Sequence, residues 1–123
     1  MRMRGSPKNV FPLCALCGAA LLLLTGKALA DWVQLDDAGI TAALIDREFL
    51  YENTATQHFY ASGRTRYTAA EPSWGYWRVE DGQYCSQWPP GLGWDCYEVF
   101  EDESGTVRWD DPYGNSTMGR PLR

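Results

Sequence analysis

A single histidine, His58, is all the imidazole this chain contains, and its two lysines, Lys8 and Lys27, both fall within the first 30 residues. One imidazole with no Ser or Cys nucleophile marked by spacing gives no catalytic pair, because acid-base work needs a positioned partner. One histidine and a pair of cysteines are also too few ligands for a zinc site. No Gly-x-Gly-x-x-Gly opens a helix after a strand and no Gly-Lys-Ser/Thr loop occurs, so dinucleotide and nucleotide sites have no support. The sequence therefore calls for no cofactor and no metal. Long apolar runs are equally scarce: the one from Phe11 through Leu24 is shorter than the roughly 20 residues of a membrane span, and none follows it.

That run belongs to a leader. Arg2, Arg4 and Lys8 precede it and Ala28-Leu29-Ala30 closes it, the three-part layout of a secretory signal peptide. The expected organisation is a signal peptide over residues 1–30 and one β-rich exported domain over 31–123, periplasmic or secreted. All 16 acids lie after Ala30, while four of the 11 basic residues lie before it, so the exported part carries 7 − 16 = −9. A domain this acidic repels phosphate backbones and anionic bilayers, which disfavours nucleic-acid partners and, after cleavage, membrane binding.

Cysteine is sparse but placed to matter. Cys14 and Cys17 form a C-x-x-C inside the leader and receive no function, with Leu13 and Leu16 standing where a lipidation signal needs a small residue. Cys85 and Cys96 are the pair left to the exported domain, and an oxidising compartment favours a disulfide between them. Aromatics are abundant. Six Trp and seven Tyr follow the leader, each able to bury about 150 to 250 Å², enough for a few rings to build a small core.

Leu35 to Ile45 reads as one short helix. Asp36 is the N-cap, Asp37 sits in the first turn, Leu35 and Ile40 form a hydrophobic staple, and Ile40, Ala43 and Leu44 make the apolar stripe. After it, Tyr-, Trp-, Val- and Thr-rich runs alternate with turn residues. Strands are expected at 47–52, 55–60, 64–68, 75–80, 83–88, 95–101 and 106–110, with a weak last one at 117–120. Asp81-Gly82 marks a two-residue hairpin, Ser62-Gly63 and Ser104-Gly105 offer similar turns, and Asn53 suits a left-handed position. The fold class is mainly β: a small antiparallel up-and-down barrel or curved sheet of seven to eight strands, with the helix plugging one end or covering a seam.

Pairing Cys85 with Cys96 across the 83–88 and 95–101 hairpin places Tyr84 opposite Tyr97 and Gln87 opposite Trp94. Tyr84, Ser86, Trp88, Tyr97 and Val99 then face the core, and Gln83, Cys85, Gln87, Trp94, Cys96 and Glu98 face solvent. The stretch Ser73-Trp74-Gly75-Tyr76-Trp77-Arg78-Val79, followed by Gly82-Gln83-Tyr84-Cys85-Ser86-Gln87-Trp88-Pro89-Pro90 and Trp94-Asp95-Cys96-Tyr97, resembles a family of small secreted proteins of alphaproteobacteria. Gly63-Arg64-Thr65-x-Tyr67 and the preceding helix fit the same pattern. The resemblance covers most of the exported chain and implies a fold and an exported address; that family has no established activity, so no catalytic residue transfers.

The functional expectation is a non-enzymatic binding or interaction module. Trp74, Trp77, Gln87, Trp88 and Trp94 surround Pro89-Pro90-Gly91-Leu92-Gly93, a loop tied at its base by Cys85 and Cys96, and flat indoles beside amides suit a saccharide or an exported protein partner. An inhibitor of an exported hydrolase is one alternative. A small hydrolase using Asp95 with Glu98, or Glu80 with Asp81, is a second, and a structural envelope protein is a third. Arg64 and Arg66 share a strand face and are able to clamp an anion or to pair with surface acids.

Overall fold

Residues 31–122 are described by a computed structural model of the protein. The expected leader and its C-x-x-C lie outside them. The elements run β1 (Val33–Gln34), α1 (Asp37–Leu44), β2 (Arg47–Tyr51), β3 (Thr56–Phe59), β4 (Arg64–Thr68), β5 (Pro72–Glu80), β6 (Gln83–Gln87), β7 (Asp95–Glu101), β8 (Val107–Asp110) and β9 (Ser116–Pro121). From β2 onward each strand pairs antiparallel with the next, and β9 returns to pair with β2. Eight strands thus close an up-and-down barrel, with β1 added as a ninth strand against β7. Closure removes the free edges that an open sheet would present. The two-residue β1 is too short to leave a periodicity, and the sequence reading did not contain it.

Local chemistry sets the turns and the helix start. Asp36 caps α1 by accepting from the Gly39 N–H at 2.8 Å. Asp81 and Gly82 both take positive φ, 54° and 76°, the requirement of a primed two-residue hairpin. At the β2–β3 turn the left-handed residue is Thr54 (φ 70°), not Asn53. Asn53 instead accepts the Ala55 N–H through its side chain at 3.0 Å, a local bond that shifts the strained position one residue along.

Alternation then fills the interior. Ile40 and Leu44 of α1 enter a core with Phe49, Phe59, Trp77, Tyr84, Val99, Val107 and Trp109. Phe59 is the hub: ring centroids of Phe49, Trp77, Tyr84 and Trp109 lie 5.9, 5.6, 5.7 and 6.1 Å away. Edge-to-face and offset contacts of this kind add to the burial term. The helix plugs one end of the barrel, where Asp37 also accepts the Gly82 N–H of the β5–β6 turn at 2.6 Å. The opposite end, bounded by the 52–55, 69–71, 88–94 and 111–115 connections, is left open.

The disulfide is present as expected, joining Cys85 to Cys96 across β6 and β7, with Tyr84 opposite Tyr97. The ladder stops at Ser86 and Asp95, so the Gln87–Trp94 pair does not form; Gln87 is paired with Tyr76 on the other side. Trp88, the next residue, packs over Gly75 of β5.

Candidate functional site

The open end holds a solvent-open cavity of about 890 Å³. Strand parity delivers its lining: Tyr51 from β2, Gln57 from β3, Tyr67 from β4, Tyr84 and Ser86 from β6, Tyr97 from β7 and Trp109 from β8. All are inward positions, two residues apart from core neighbours such as Phe49, Phe59, Thr65 and Val99. Apolar side chains occupy the inward positions near the helix, and hydroxyls and an amide occupy those near the mouth.

Gln57 organises the polar floor. Its Oε1 accepts from the Tyr51 hydroxyl at 2.6 Å, while Nε2 donates to Thr65 Oγ1 at 2.9 Å and to the Tyr84 hydroxyl oxygen at 3.4 Å. Thr65 Oγ1 donates to the His58 carbonyl at 2.8 Å, which anchors the network to the barrel wall. Burial pushes the Tyr84 hydroxyl well above its usual pKa, against hydrogen bonds to Ser86 and Gln57 that pull it down. Tyr51 is raised first by burial and then by its neighbours Tyr84, Tyr67 and Tyr97. These phenols stay neutral at physiological pH. Trp109 Nε1 is a buried side-chain donor with no partner, which costs on the order of 1 to 3 kcal/mol if nothing accepts from it.

Two glycines make room for this arrangement. A Cβ at Gly75 would lie 2.6 Å from both the Gln87 carbonyl oxygen and Trp88 Cε3, so the Trp88 indole crosses the mouth over a bare backbone. Its Nε1 donates to Ser86 Oγ at 3.2 Å, and its ring meets Tyr67 edge-to-face at 6.4 Å. A Cβ at Gly119 would come within 3.0 Å of the Tyr51 ring.

The residues singled out from sequence do not form one surface. Trp88 lines the cavity, and Trp74 borders it from the outer face, 44% exposed, with Arg64 lying 4.6 Å above its ring. Trp77 is buried in the core, its indole N–H donated to the Tyr60 carbonyl at 2.9 Å, and is not available to a ligand. Gln87 staples the loop by donating to the Leu92 carbonyl at 2.6 Å. Trp94 lies outside the barrel under the Arg78 guanidinium, 4.0 Å from its ring centroid. The sequence reading missed Tyr51, Gln57, Tyr67 and Trp109, which come from strands across the barrel. The available signal was polar residues, Gln57, Thr65 and Ser86, at positions whose parity is inward.

No protein-family model, curated protein or solved structure matches this chain. Its chemistry has to be read from the geometry. Asp95 shares the inward parity of Tyr97 whereas Glu98 is outward, so this carboxylate pair is split by the sheet. Glu80 is ion-paired with Arg78 at 2.9 Å and, with Asp81, stands at the plugged end. His58 is on the outer face, stacked on Tyr60 at 4.1 Å. Among the described residues, no group of three or more His, Cys, Asp or Glu is arranged to hold a metal, and no helix is long and apolar enough to cross a membrane.

Proposed function

We propose that this protein is an exported, non-enzymatic binding module whose ligand enters the open mouth of the barrel. The observation that carries the reading is the cavity: about 890 Å³, walled by Tyr67, Tyr97, Trp88 and Trp109 over a floor of hydroxyls and one amide. Sites for small molecules are concave, mostly apolar and furnished with a few orienting polar groups. The helix closes the far end, so the ligand site is a cup and not a channel. Recognition thus moves from the outer Trp74–Trp94 segment to the interior, with Trp88 common to both.

The disulfide fits an oxidising compartment, as does the leader. Glu48, Arg66, Arg78, Glu98 and Arg108 occupy outward positions along the strands. A lipid-facing barrel needs an apolar band there, so these charges support a barrel that works in water.

The test is a titration with prodan, an uncharged naphthalene dye whose emission shifts to the blue on leaving water. Saturable binding by the protein, weakened several-fold in Trp88→Ala and unchanged in Leu92→Asp, supports the cup; absence of any shift sinks it. Leu92, 87% exposed at the tip of a loop held by the disulfide and Gln87, favours a second reading in which this loop inserts into an exported protein such as a hydrolase. A partner whose binding is lost in Leu92→Asp and retained in Trp88→Ala would select that reading.

A further inference from the structure

The charges around the mouth say what kind of molecule the cup takes. Its lining is mostly rings, hydroxyls and amides, and Glu52 is the one acidic or basic side chain among them. No arginine lines it. Arg64, Arg66, Arg78 and Arg108 are all turned outward, each over an aromatic ring of the outer surface: Arg78 lies 4.0 Å from Trp94, Arg108 lies 4.3 Å from Phe100, and Arg64 and Arg66 share Trp74 at 4.6 and 5.7 Å. Among the described residues, no such guanidinium covers Tyr51, Tyr67, Trp88 or Tyr97 of the mouth. Arg47 lies 5.8 Å from the core ring of Phe49, and of the rings that line the mouth only Trp74, at its border, carries guanidinium groups. Asp95, at the mouth end of β7, and Asp111, at the start of the 111–115 connection, add acids to the open end; burial first and then their charge raises the Tyr97 hydroxyl above its usual pKa.

An anion entering this cup would meet Glu52 and find no cation in the lining to offset its desolvation, Arg64 and Arg66 being engaged on the outer side of Trp74. A cation would meet the negative faces of several rings, an attraction that strengthens out of water. Its substituents matter too. A primary ammonium brings three N–H donors, and the amide oxygen inside already accepts one bond, from the Tyr51 hydroxyl at 2.6 Å. The Tyr67 and Tyr84 oxygens already accept, from Asn53 at 3.3 Å and from Gln57 at 3.4 Å. An alkylated ammonium has no N–H to satisfy and suits a wall of rings.

We propose that the ligand of the barrel mouth is an organic cation of the quaternary-ammonium class, held by Tyr67, Trp88 and Tyr97 with Glu52 at the rim. This inference rests on the mouth being the binding site, and the experiment separates the two.

Prodan bound to the protein is displaced with three probes that share a trimethylated head: acetylcholine, its uncharged carbon isostere 3,3-dimethylbutyl acetate, and the shorter anion 3,3-dimethylbutyrate. The expected order is acetylcholine tightest, on the order of ten-fold over the isostere at low salt, with the anion weakest. Adding salt should narrow the gap, because the rim acids are screened. Glu52→Gln should weaken acetylcholine several-fold and leave the isostere unchanged. If prodan binds but the three compete equally, the anion leads, or none competes, the cup stands and the cation inference falls. If prodan itself fails to bind, both fall.

Discussion

Replacing Gly75 by alanine should damage the fold and the mouth together. The new methyl would sit 2.6 Å from the Gln87 carbonyl oxygen and 2.6 and 2.8 Å from Trp88 Cε3 and Cδ2, all inside van der Waals contact. The indole can swing away, but the carbonyl belongs to a β6 residue laddered to Tyr76, so backbone must also shift. Overpacking of this kind costs about 1 to 3 kcal/mol. Swinging Trp88 out also breaks its bond to Ser86, worth about 1 kcal/mol. Against this, alanine restricts the unfolded chain and returns about 0.4 to 1 kcal/mol. The net expectation is a loss of about 2 kcal/mol, or roughly 8 to 16 °C in Tm for a domain of this size. Urea unfolding should be followed by far-UV circular dichroism, since Trp88 fluorescence will itself change. Gly93→Ala is the control: nothing lies within 4 Å of its Cβ position, and the change should be within about 0.5 kcal/mol. Trp88→Ala in the Gly75→Ala background should relieve the ring clash alone, giving a coupling above about 0.5 kcal/mol. A Gly75→Ala protein as stable as the Gly93→Ala control would refute the account of how the mouth is built.

Further expectations concern the disulfide, the helix and alkaline pH. Cys85 and Cys96 are separated by 11 residues, and the loop they close should contribute about 2 to 3 kcal/mol through the unfolded chain, read as a lower urea midpoint after reduction. An unchanged midpoint would show that the bond adds nothing. Asp36→Ala removes the cap on the plugging helix and should cost about 1 kcal/mol in the same assay, with Asp36→Asn close to wild type. Tyr51 and Tyr84 hold their protons in the fold at a pH where the unfolded chain has released them. The unfolded state then binds fewer protons, so this stability is complete below about pH 10 and declines as pH rises beyond it, by up to roughly 1.4 kcal/mol per pH unit for each buried phenol. Phenolate absorbance from these two should appear with unfolding, and Tyr84→Phe should flatten the slope; ionisation well before unfolding would contradict their burial.

What was legible in the sequence followed from short-range rules. The cap at Asp36, the Asp81-Gly82 hairpin, the bounds of β4 and β7, and the Cys85–Cys96 register each depend on a few consecutive residues or on period-two alternation. Alternation also placed Tyr84, Ser86 and Tyr97 on the inner side. The same rule, applied to each strand alone, could not say which inward residues meet. Gln57 and Tyr84 stand 27 residues apart in the chain, on β3 and β6, and meet across the interior of a barrel that exists because β9 closes on β2. Sequence marked Trp77 and Trp94 as equals of Trp88. Parity and closure put the first in the core, the second outside, and the third across the mouth, because an indole's role depends on which side of a closed sheet it faces and how near it lies to the open end. Strand type, turn chemistry and the disulfide were thus determined by the chain itself, while the cup and its ligand-facing rings were decided by the barrel's closure.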